Sequence, residues 1–329
     1  MSRGGSQARA ERPPPSKPIS SIRHFYPMIS PAEVSGLKIT TILDNIVQSA
    51  GPVAHWGFST LLEYEARGVK RRILLDTGSD KESLLRNLKT LKVDLAGIDA
   101  VVLSHGHWDH TSATIDVVRA SGGVSVYAHP SAFQPVFRVD EKGERRRISV
   151  PDGQGIIEIE AAGGEVILSR EPIEVAPGVW ATGEVPRTGF ETVMELVKER
   201  LVREGSEEPD TIPDDQSLFL REKDVGLTVV TGCAHSGPLN ILSYIESLTN
   251  DRVKALIGGT HLTGRRPEYT RATIEGLRKH DLLILSPCHC TGFHAMSELC
   301  NVFPESFTLN YSGNVLEPAK IIAKRKTLL

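Results

Sequence analysis

Four side chains that could bind a metal ion lie within six residues of one another: His105, His107, Asp109 and His110. Imidazole and carboxylate are the usual ligands of zinc and related divalent ions, and burying so many of them is costly unless a metal compensates. In a turn after a strand, His105 and His107 can chelate one ion while Asp109 and His110 reach its neighbour. The segment therefore predicts two divalent ions, with zinc expected first and manganese, iron or cobalt as alternatives.

An alternative without metal binding is a surface histidine cluster in which Asp109 only caps a helix, because aspartate is a common N-cap residue. The run of apolar residues over 98–103 argues against it. Such a short run predicts a buried strand, and this one leads directly into His105. The potential ligands are therefore expected at the carboxyl end of a strand.

The rest of the chain alternates between two kinds of element, which the spacing of apolar residues distinguishes. Strands are predicted over 37–43, 57–64, 71–76, 124–128, 218–220, 227–231, 253–257 and 282–285. Helices are predicted over 81–91, 111–120, 191–202 and 267–280. Polar residues recur where strands end in both halves, which predicts two similar layers facing one cleft.

Length and composition favour one catalytic domain, because 329 residues with 40% hydrophobic composition can bury one large core. Residues 1–35 are rich in Ser, Gly, Pro and Arg and predict a disordered tail, leaving 36–329 for the domain. Residues 131–172 mix turn residues with a charge run and predict an insertion or lid. A net charge of −3 offers no field for a polyanion, so a small-molecule substrate is expected rather than nucleic acid.

Cysteine usage and the N-terminus indicate a cytoplasmic protein. The four cysteines form no regular disulfide framework, and no apolar run suits a membrane span or an export signal. A mitochondrial presequence remains an alternative because arginines occur near the start, although Glu11 and the prolines over 13–15 fit an amphipathic helix badly. The sequence does not predict the oligomeric state.

Residues 104–110 resemble the His-x-His-x-Asp-His motif of the metallo-β-lactamase superfamily, and residues 75–78 resemble its upstream Asp-Thr-Gly turn. Residues 231–237, 258–262 and 287–292 look like the branch named after dihydropterin ribofuranosylaminobenzene phosphate synthase. The resemblance spans about residues 37–316. It implies a four-layer αββα sandwich of the α/β (α+β) class, with the metals at the edge between two sheets and a bridging water or hydroxide as nucleophile.

The same resemblance implies the remaining ligands. His235 matches the histidine that completes the first metal site, and His289 matches the last histidine of the second. Core or outer roles are the alternative for both. Asp76 is expected to orient a ligand histidine through its free ring nitrogen rather than to bind metal.

The chain departs from the superfamily pattern after Gly232, where Cys233 stands in place of the usual bridging aspartate. Its thiolate could bind metal, or the residue could be a buried small hydrophobe. Asp215 could supply the missing charge or orient a ligand, or it could bond its own turn. His261 is an outer ligand or an acid toward substrate. Cys288 and Cys290 alternate about His289, so on an extended segment they would point away from it.

The function that the resemblance implies is hydrolysis of an ester-type bond, with a phosphoester or lactone of a small molecule expected first. Asp109 would bind metal and accept a proton from water, and His261 would protonate the leaving group. Two alternatives stay open because one fold serves many functions: a non-haem iron oxidoreductase and a metal-stabilised metabolite-binding protein without turnover.

Overall fold

A computed structural model of the protein describes residues 28–192 and 200–327. Its strands, in chain order, are β1 Glu33–Leu43, β2 Ser59–Ala66, β3 Val69–Leu75, β4 Ala100–Val102, β5 Ser125–Ala128, β6 Val136–Val139, β7 Arg145–Arg147, β8 Glu165–Leu168, β9 Ile173–Ala176, β10 Val179–Ala181, β11 Arg200–Arg203, β12 Ser217–Glu222, β13 Gly226–Thr231, β14 Val253–Gly259, β15 Ile284–Cys288 and β16 Val315–Leu316. Its α-helices are α1 Lys81–Thr90, α2 Trp108–Thr111, α3 Thr114–Ser121, α4 Ile156–Ala161, α5 Pro238–Thr249, α6 Pro267–Leu277, α7 Phe293–Val302 and α8 Pro318–Lys326.

Two groups of paired strands form the body of the domain, and they meet at the start of β1. The first runs β1-β2-β3-β4-β5-β8, with β16 added to β1. The second runs β15-β14-β13-β12, with β10 and β9 beyond β12. Glu33 and Val34 of β1 pair with β12, which joins the groups. Within each group the later strands are parallel, so their carboxyl ends lie at one edge.

Three apolar cores separate the layers. The middle core lies between the two groups of strands and contains Ile39 and Leu62 from the first and Leu218 and Val230 from the second. The first group packs its other face against α1, α3 and α4, and the second packs against α5, α6 and α7. The order helix, sheet, sheet, helix confirms the predicted αββα sandwich.

A separate three-stranded sheet, β11-β6-β7, is attached beside the metal-ligand segment. The Trp108 side chain packs against the small core of this sheet, and the backbone N–H of Trp108 donates to the backbone carbonyl of Ile148. Of the predicted insertion over 131–172, β6 and β7 belong to this sheet, whereas β8 joins the main one. The role of this region as a lid stays a prediction.

Some sequence-based boundaries differ from the structure. The helix predicted over 191–202 is wrong at its end, because residues 200–203 form β11 and pair with β6; residues 193–199 lie outside the described residues. Cross-strand pairing to a distant segment outweighs the local helical pattern there. Most of the predicted N-terminal tail also lies outside the described residues. Within 28–35, however, Ile29 is buried and β1 begins at Glu33, so ordered structure starts earlier than expected.

Across residues 28–192 and 200–327, no helix combines the length and apolarity needed to cross a bilayer.

Candidate metal centre

The potential ligands follow the carboxyl ends of strands from both halves of the sandwich. Asp76 follows β3, and His105 comes soon after β4. His235, His261 and His289 follow β13, β14 and β15. Because these are the parallel strands of each group, their ends converge on one cleft between the layers.

Three histidines form the first potential binding group, which we call triad 1: His105, His107 and His235. His105 Nε2 lies 2.9 Å from His107 Nδ1 and 3.2 Å from His235 Nε2. Two of these ligands come from the segment predicted to chelate the first ion, and the third comes from the opposite layer.

The second group, triad 2, consists of Asp109, His110 and His289. His110 Nε2 and His289 Nε2 are 3.1 Å apart, and Asp109 Oδ2 lies 3.9 Å from the first and 3.8 Å from the second. The Trp56 indole N–H donates to the same carboxylate oxygen at 3.0 Å. The structure thus brings together all six residues predicted to bind metal, in the two groups that the sequence suggested.

The ring nitrogens that face one another in the two triads carry lone pairs suited to bind divalent cations. Ser104 Oγ donates to Asp76 Oδ2, so it accepts from His105 Nδ1–H and leaves a lone pair on His105 Nε2. His289 Nδ1–H likewise donates to Asn45 Oδ1 and leaves Nε2 free. Lone pairs that face each other at these distances repel, and a cation between them removes the repulsion.

Burial also keeps two of these histidines, His105 and His289, in the neutral form that binds metal. Burial, followed by the neighbouring imidazoles, lowers the pKa of His105 well below its usual value. The same causes, with burial first, lower the pKa of His289 to about 3. Neutral imidazole is the form that coordinates metal, so these rings require no deprotonation to bind.

His110 has a different electrostatic environment. Its ring is fully buried and its Nδ1 lies 2.7 Å from Asp76 Oδ2. Burial opposes the charged form, but the carboxylates of Asp76 and Asp109 outweigh it and raise the pKa of His110 to about 9. Asp76 also accepts from the Ser104 N–H at 2.7 Å. The carboxylate is therefore placed to orient His110, as predicted, and it belongs to neither triad.

Cys233 lies between the triads. Its Sγ is 3.2 Å from His110 Nε2, and it forms a group of potential ligands with His105 and His110, one residue from each triad. Burial raises the pKa of its thiol well above the ordinary value, so the free protein holds it protonated. Cys233 Sγ thus lies near ligand atoms of both triads, and Cys233 follows Gly232, where the resemblance implied a bridging aspartate.

Cys290 does not point away from the centre, and that prediction is wrong. It assumed an extended segment, whereas His289–Thr291 forms a turn of 3₁₀ helix that starts with His289 at φ 53°. Alternation of side chains applies only to extended backbone. Cys290 Sγ therefore joins Cys233 and His289 in one potential ligand group. Cys288, in contrast, belongs to the middle core, as a structural residue would.

Asp215 and His261 occupy two further positions around triad 1. Asp215 accepts hydrogen bonds from the backbone N–H groups of His235 and Ser236, both at 2.9 Å. It holds the loop that carries His235, and within the described ranges it joins no group of three potential ligands. The His261 ring lies 4.0 Å from that of His235, and these two residues form a group of potential ligands with Cys233.

The environment of His261 opposes its predicted role as an acid. Burial, followed by the charge of Arg265, lowers the pKa of His261 well below its usual value. The neutral ring can still donate a hydrogen bond, because its buried Nδ1 has no hydrogen-bond partner within the described residues. The acid role stays a prediction.

Several positioning residues were missed at the sequence level. Asp44 Oδ2 accepts from the His289 N–H at 2.8 Å, and Asn45 Oδ1 accepts from its ring. Asp214 Oδ2 accepts from the Gly106 N–H at 2.8 Å and holds the turn between His105 and His107. The signal that could have found Asp44 and Asn45 was their position directly after β1, where polar residues end a buried strand.

The triads open into a cavity of about 290 Å³. Trp56 and Trp108 line one part of it, and Arg138 and Leu201 of the three-stranded sheet line another. A small molecule can therefore reach both groups of ligands from a common space.

A family model described as the metallo-beta-lactamase superfamily matches residues 57–248. This chain belongs to that superfamily, whose fold binds divalent metal ions, and the predicted resemblance is confirmed.

Two curated relatives from Methanocaldococcus jannaschii match most of the chain. One, named 7,8-dihydropterin-6-methyl-4-(beta-D-ribofuranosyl)-aminobenzene-5'-phosphate synthase, is 30% identical over 296 residues, which cover 87% of this chain and 98% of the relative. The other, an uncharacterized protein, is 30% identical over 280 residues, covering 84% and 99%. The chain is also similar to the crystal structure of Tm1679, described as a metal-dependent hydrolase of the beta-lactamase superfamily, with a TM-score of 0.68, 25% identity and coverage of 85% and 98%.

Proposed function

We propose that this protein is a metal-dependent hydrolase that cleaves an ester-type bond of a small molecule, with a phosphoester as the first expectation and a lactone as the second. One observation carries the proposal: triad 1 and triad 2 lie side by side and open into the same cavity. His105, His107 and His235 would hold one divalent ion, and Asp109, His110 and His289 would hold the other. Zinc is the expected metal.

When bound, divalent ions that share a water lower its pKa toward neutrality and stabilise charge that develops on a carbonyl or phosphoryl oxygen. The residues supply position and proton transfer. Asp76 and Asn45 orient the rings of His110 and His289 through their second nitrogens. Asp109, which also accepts from Trp56, would accept the proton of the attacking water.

Three findings support hydrolysis of such a substrate. Tm1679, to which the chain is similar, is described as a metal-dependent hydrolase. The name of the M. jannaschii relative describes a product that carries a 5'-phosphate, which is a phosphoester. Arg265 Nε–H donates to the carbonyl of His261, which lines the cavity, and its guanidinium could stabilise an anionic group. These observations favour a phosphorylated compound over a neutral lactone.

A second candidate is the synthase reaction of that relative, and the 30% identity over 98% of its length favours it. The product combines a dihydropterin with a ribofuranosylaminobenzene 5'-phosphate. The joining step needs a leaving group on the 6-methyl carbon of the dihydropterin, which departs as the new bond forms and the second part loses a proton. Incubation of the protein with the ribofuranosylaminobenzene 5'-phosphate and a dihydropterin that carries such a leaving group, for example a diphosphate, followed by mass spectrometry, tests for the joined compound. Its appearance at a rate that depends on protein would favour the synthase, whereas release of inorganic phosphate alone would favour hydrolysis.

The proposal is tested by elemental analysis followed by a substrate panel. Purified protein should bind two metal ions per chain, and with zinc, manganese, iron or cobalt restored it should hydrolyse phosphoesters faster than lactones or β-lactams. Fewer than two ions at saturation would contradict the two-metal centre. Two bound ions without hydrolysis of any substrate would favour a binding protein, and iron-dependent consumption of oxygen would favour an oxidoreductase.

Asp109→Asn separates the proposed proton transfer from metal binding. The variant should lose about 10²-fold to 10⁴-fold in kcat, the usual contribution of a positioned general base. Metal content is measured in the same samples, and His294→Ala, an exposed histidine outside both triads, serves as the control. Unchanged turnover in an Asp109 variant that retains its metal would contradict the assigned role.

A further inference from the structure

Two thiols belong to the cavity that the triads share, although the six predicted metal ligands are all histidine or aspartate. Cys233 and Cys290 both line this cavity and are both buried. Their Sγ atoms lie within 4.8 Å of each other and of a ring nitrogen of His289. The Cys290 S–H donates to the carbonyl of Cys233 at 3.4 Å. The two cysteines, from β13 and β15 loops, thus meet at triad 2.

A residue next to each cysteine has a left-handed backbone conformation. Ala234, which follows Cys233, has φ 61°, and His289, which precedes Cys290, has φ 53°. Left-handed backbone at a residue other than glycine is strained and is concentrated at functional sites. In this chain such residues stand next to Cys233 and Cys290, whose Sγ atoms lie within 4.8 Å of each other.

The charge of the centre provides a second argument. Triad 1 consists of histidines alone, and triad 2 contains a single carboxylate, Asp109. Two divalent ions would bring four positive charges into a buried site where these ligands supply one negative charge. Buried charge must be compensated by nearby opposite charge. Thiolates at Cys233 and Cys290 would supply two more negative charges at the required place.

We propose that Cys233 and Cys290 act as a pair of thiolate ligands that replace the missing bridging carboxylate, and that the centre therefore selects a thiophilic divalent ion such as zinc over manganese or magnesium. Cys233 would lie between the two ions and Cys290 at the ion of triad 2. Soft sulfur ligands favour zinc, whereas oxygen ligands suit magnesium and manganese. The inference rests on the metal centre of the proposed function, but not on its substrate.

Cobalt substitution of the reduced full-length protein tests this inference without an activity assay. Cobalt(II) bound to thiolate shows an intense near-ultraviolet charge-transfer band that histidine and carboxylate do not produce. The wild-type protein should show this band, Cys290→Ser and Cys233→Ser should each lose part of it, and the double variant should lose all of it. Cys288→Ser, in the middle core, and Cys300→Ser, on the surface, are matched controls that should retain it.

A band of equal intensity per bound cobalt in Cys290→Ser and the wild type would exclude Cys290 as a ligand and overturn the paired site. The zinc-over-manganese preference should also fall in the double variant, on the order of tenfold or more. An unchanged preference would contradict the proposed selection.

X-ray absorption of the zinc-loaded wild-type protein keeps the test independent of how the variants fold. Sulfur should appear at about 2.3 Å from zinc. A shell of nitrogen and oxygen alone would overturn the inference. A thiolate signal in a protein that hydrolyses nothing would contradict the proposed function and leave the ligand pair standing, whereas hydrolysis without sulfur ligation would do the reverse.

Discussion

At the residue scale, the second triad depends on one carboxylate that would not itself touch the metal. Asp76 Oδ2 is 2.7 Å from His110 Nδ1, and both side chains are fully buried. A carboxylate can only accept, so it keeps the proton of His110 on Nδ1 and leaves Nε2 for metal. The backbone of Asp76 is left-handed, with φ 61°, which asparagine tolerates about as well as aspartate.

Asp76→Asn should therefore fold but weaken metal binding at triad 2. The new amide can donate to His110 Nδ1, which would move the ring proton to Nε2 and block coordination. We expect a loss of about 10-fold to 100-fold in affinity for the ion of triad 2, as is typical of residues that orient metal ligands. Metal titration monitored by calorimetry measures the change, and Asp152→Asn, on the surface, is the control. Equal affinity in both variants would refute the orienting role.

At the scale of elements, the close approach of the turn after β13 to the turn after β4 determines where Cys233 and His235 lie. Gly232 follows β13, and a Cβ atom there would lie 2.1 Å from Ser104 Oγ and 2.8 Å from Asp76 Oδ2. Both atoms belong to the network that orients His105 and His110. Only glycine allows the end of this strand to approach the network so closely.

Gly232→Ala should accordingly separate the two layers at the metal centre. We expect a loss of about 1–3 kcal/mol in the free energy of unfolding, as for overpacked cores, together with lower metal content. Urea denaturation and elemental analysis measure the two effects. Gly155→Ala is the control, because its added Cβ would meet only the flexible end of Glu158. Full metal occupancy in Gly232→Ala would contradict the packing argument.

A second effect at this scale concerns α5, which begins directly after the His235 loop. Glu191 Oε2 accepts from the Asn240 N–H in the first turn of this helix, and burial raises the pKa of Glu191 from 4.5 to about 7. Because the folded state binds the proton more tightly than the unfolded state, the contribution of this group to stability falls as pH rises from about 4.5 to about 7.

Glu191→Gln should remove this part of the pH dependence. The wild-type free energy of unfolding should decrease more steeply than that of the variant between pH values of about 4.5 and 7. Urea denaturation across this range measures both slopes, and Glu160→Gln, an exposed position, should follow the wild type. Parallel curves for Glu191→Gln and the wild type would show that Glu191 does not titrate in this range.

For the whole molecule, metal binding should stabilise the association of the two layers. In triad 1, His105 and His107 follow a strand of the first group and His235 follows a strand of the second. An ion bound to all three would therefore link the two layers. A ligand at about 100 times its Kd stabilises the folded state by about 2.7 kcal/mol.

Removal of metal with a chelator should therefore lower the Tm, and restoring zinc should recover it. His235→Ala, which breaks triad 1, should respond less to zinc than the wild type does. Differential scanning calorimetry checks both outcomes, with His294→Ala as a control that should respond fully. Identical Tm values with and without metal would contradict a centre that links the layers.

The sequence by itself determined the local features. Four potential ligands within residues 105–110 predicted a metal centre and its division into two groups. This prediction was possible because the short backbone segment limits where these four side chains can lie relative to one another. Apolar periodicity predicted most of the strands, since burial on a sheet requires it. The end of the helix predicted over 191–202 is wrong for the complementary reason: residues 200–203 form β11, which pairs with β6 about sixty residues away, and apolar periodicity does not report such a distant partner.

Only the tertiary structure decided which distant residues complete the site. His235 meets His105 across 130 positions and His289 meets His110 across 179, so their contacts depend on how two layers pack. The resemblance suggested those histidines, but the direction of Cys290 followed from a 3₁₀ turn at His289 that no local pattern predicted. Contacts over such separations are set by the pairing of strands and the packing of sheets, whereas a sequence pattern reports only what neighbouring residues require.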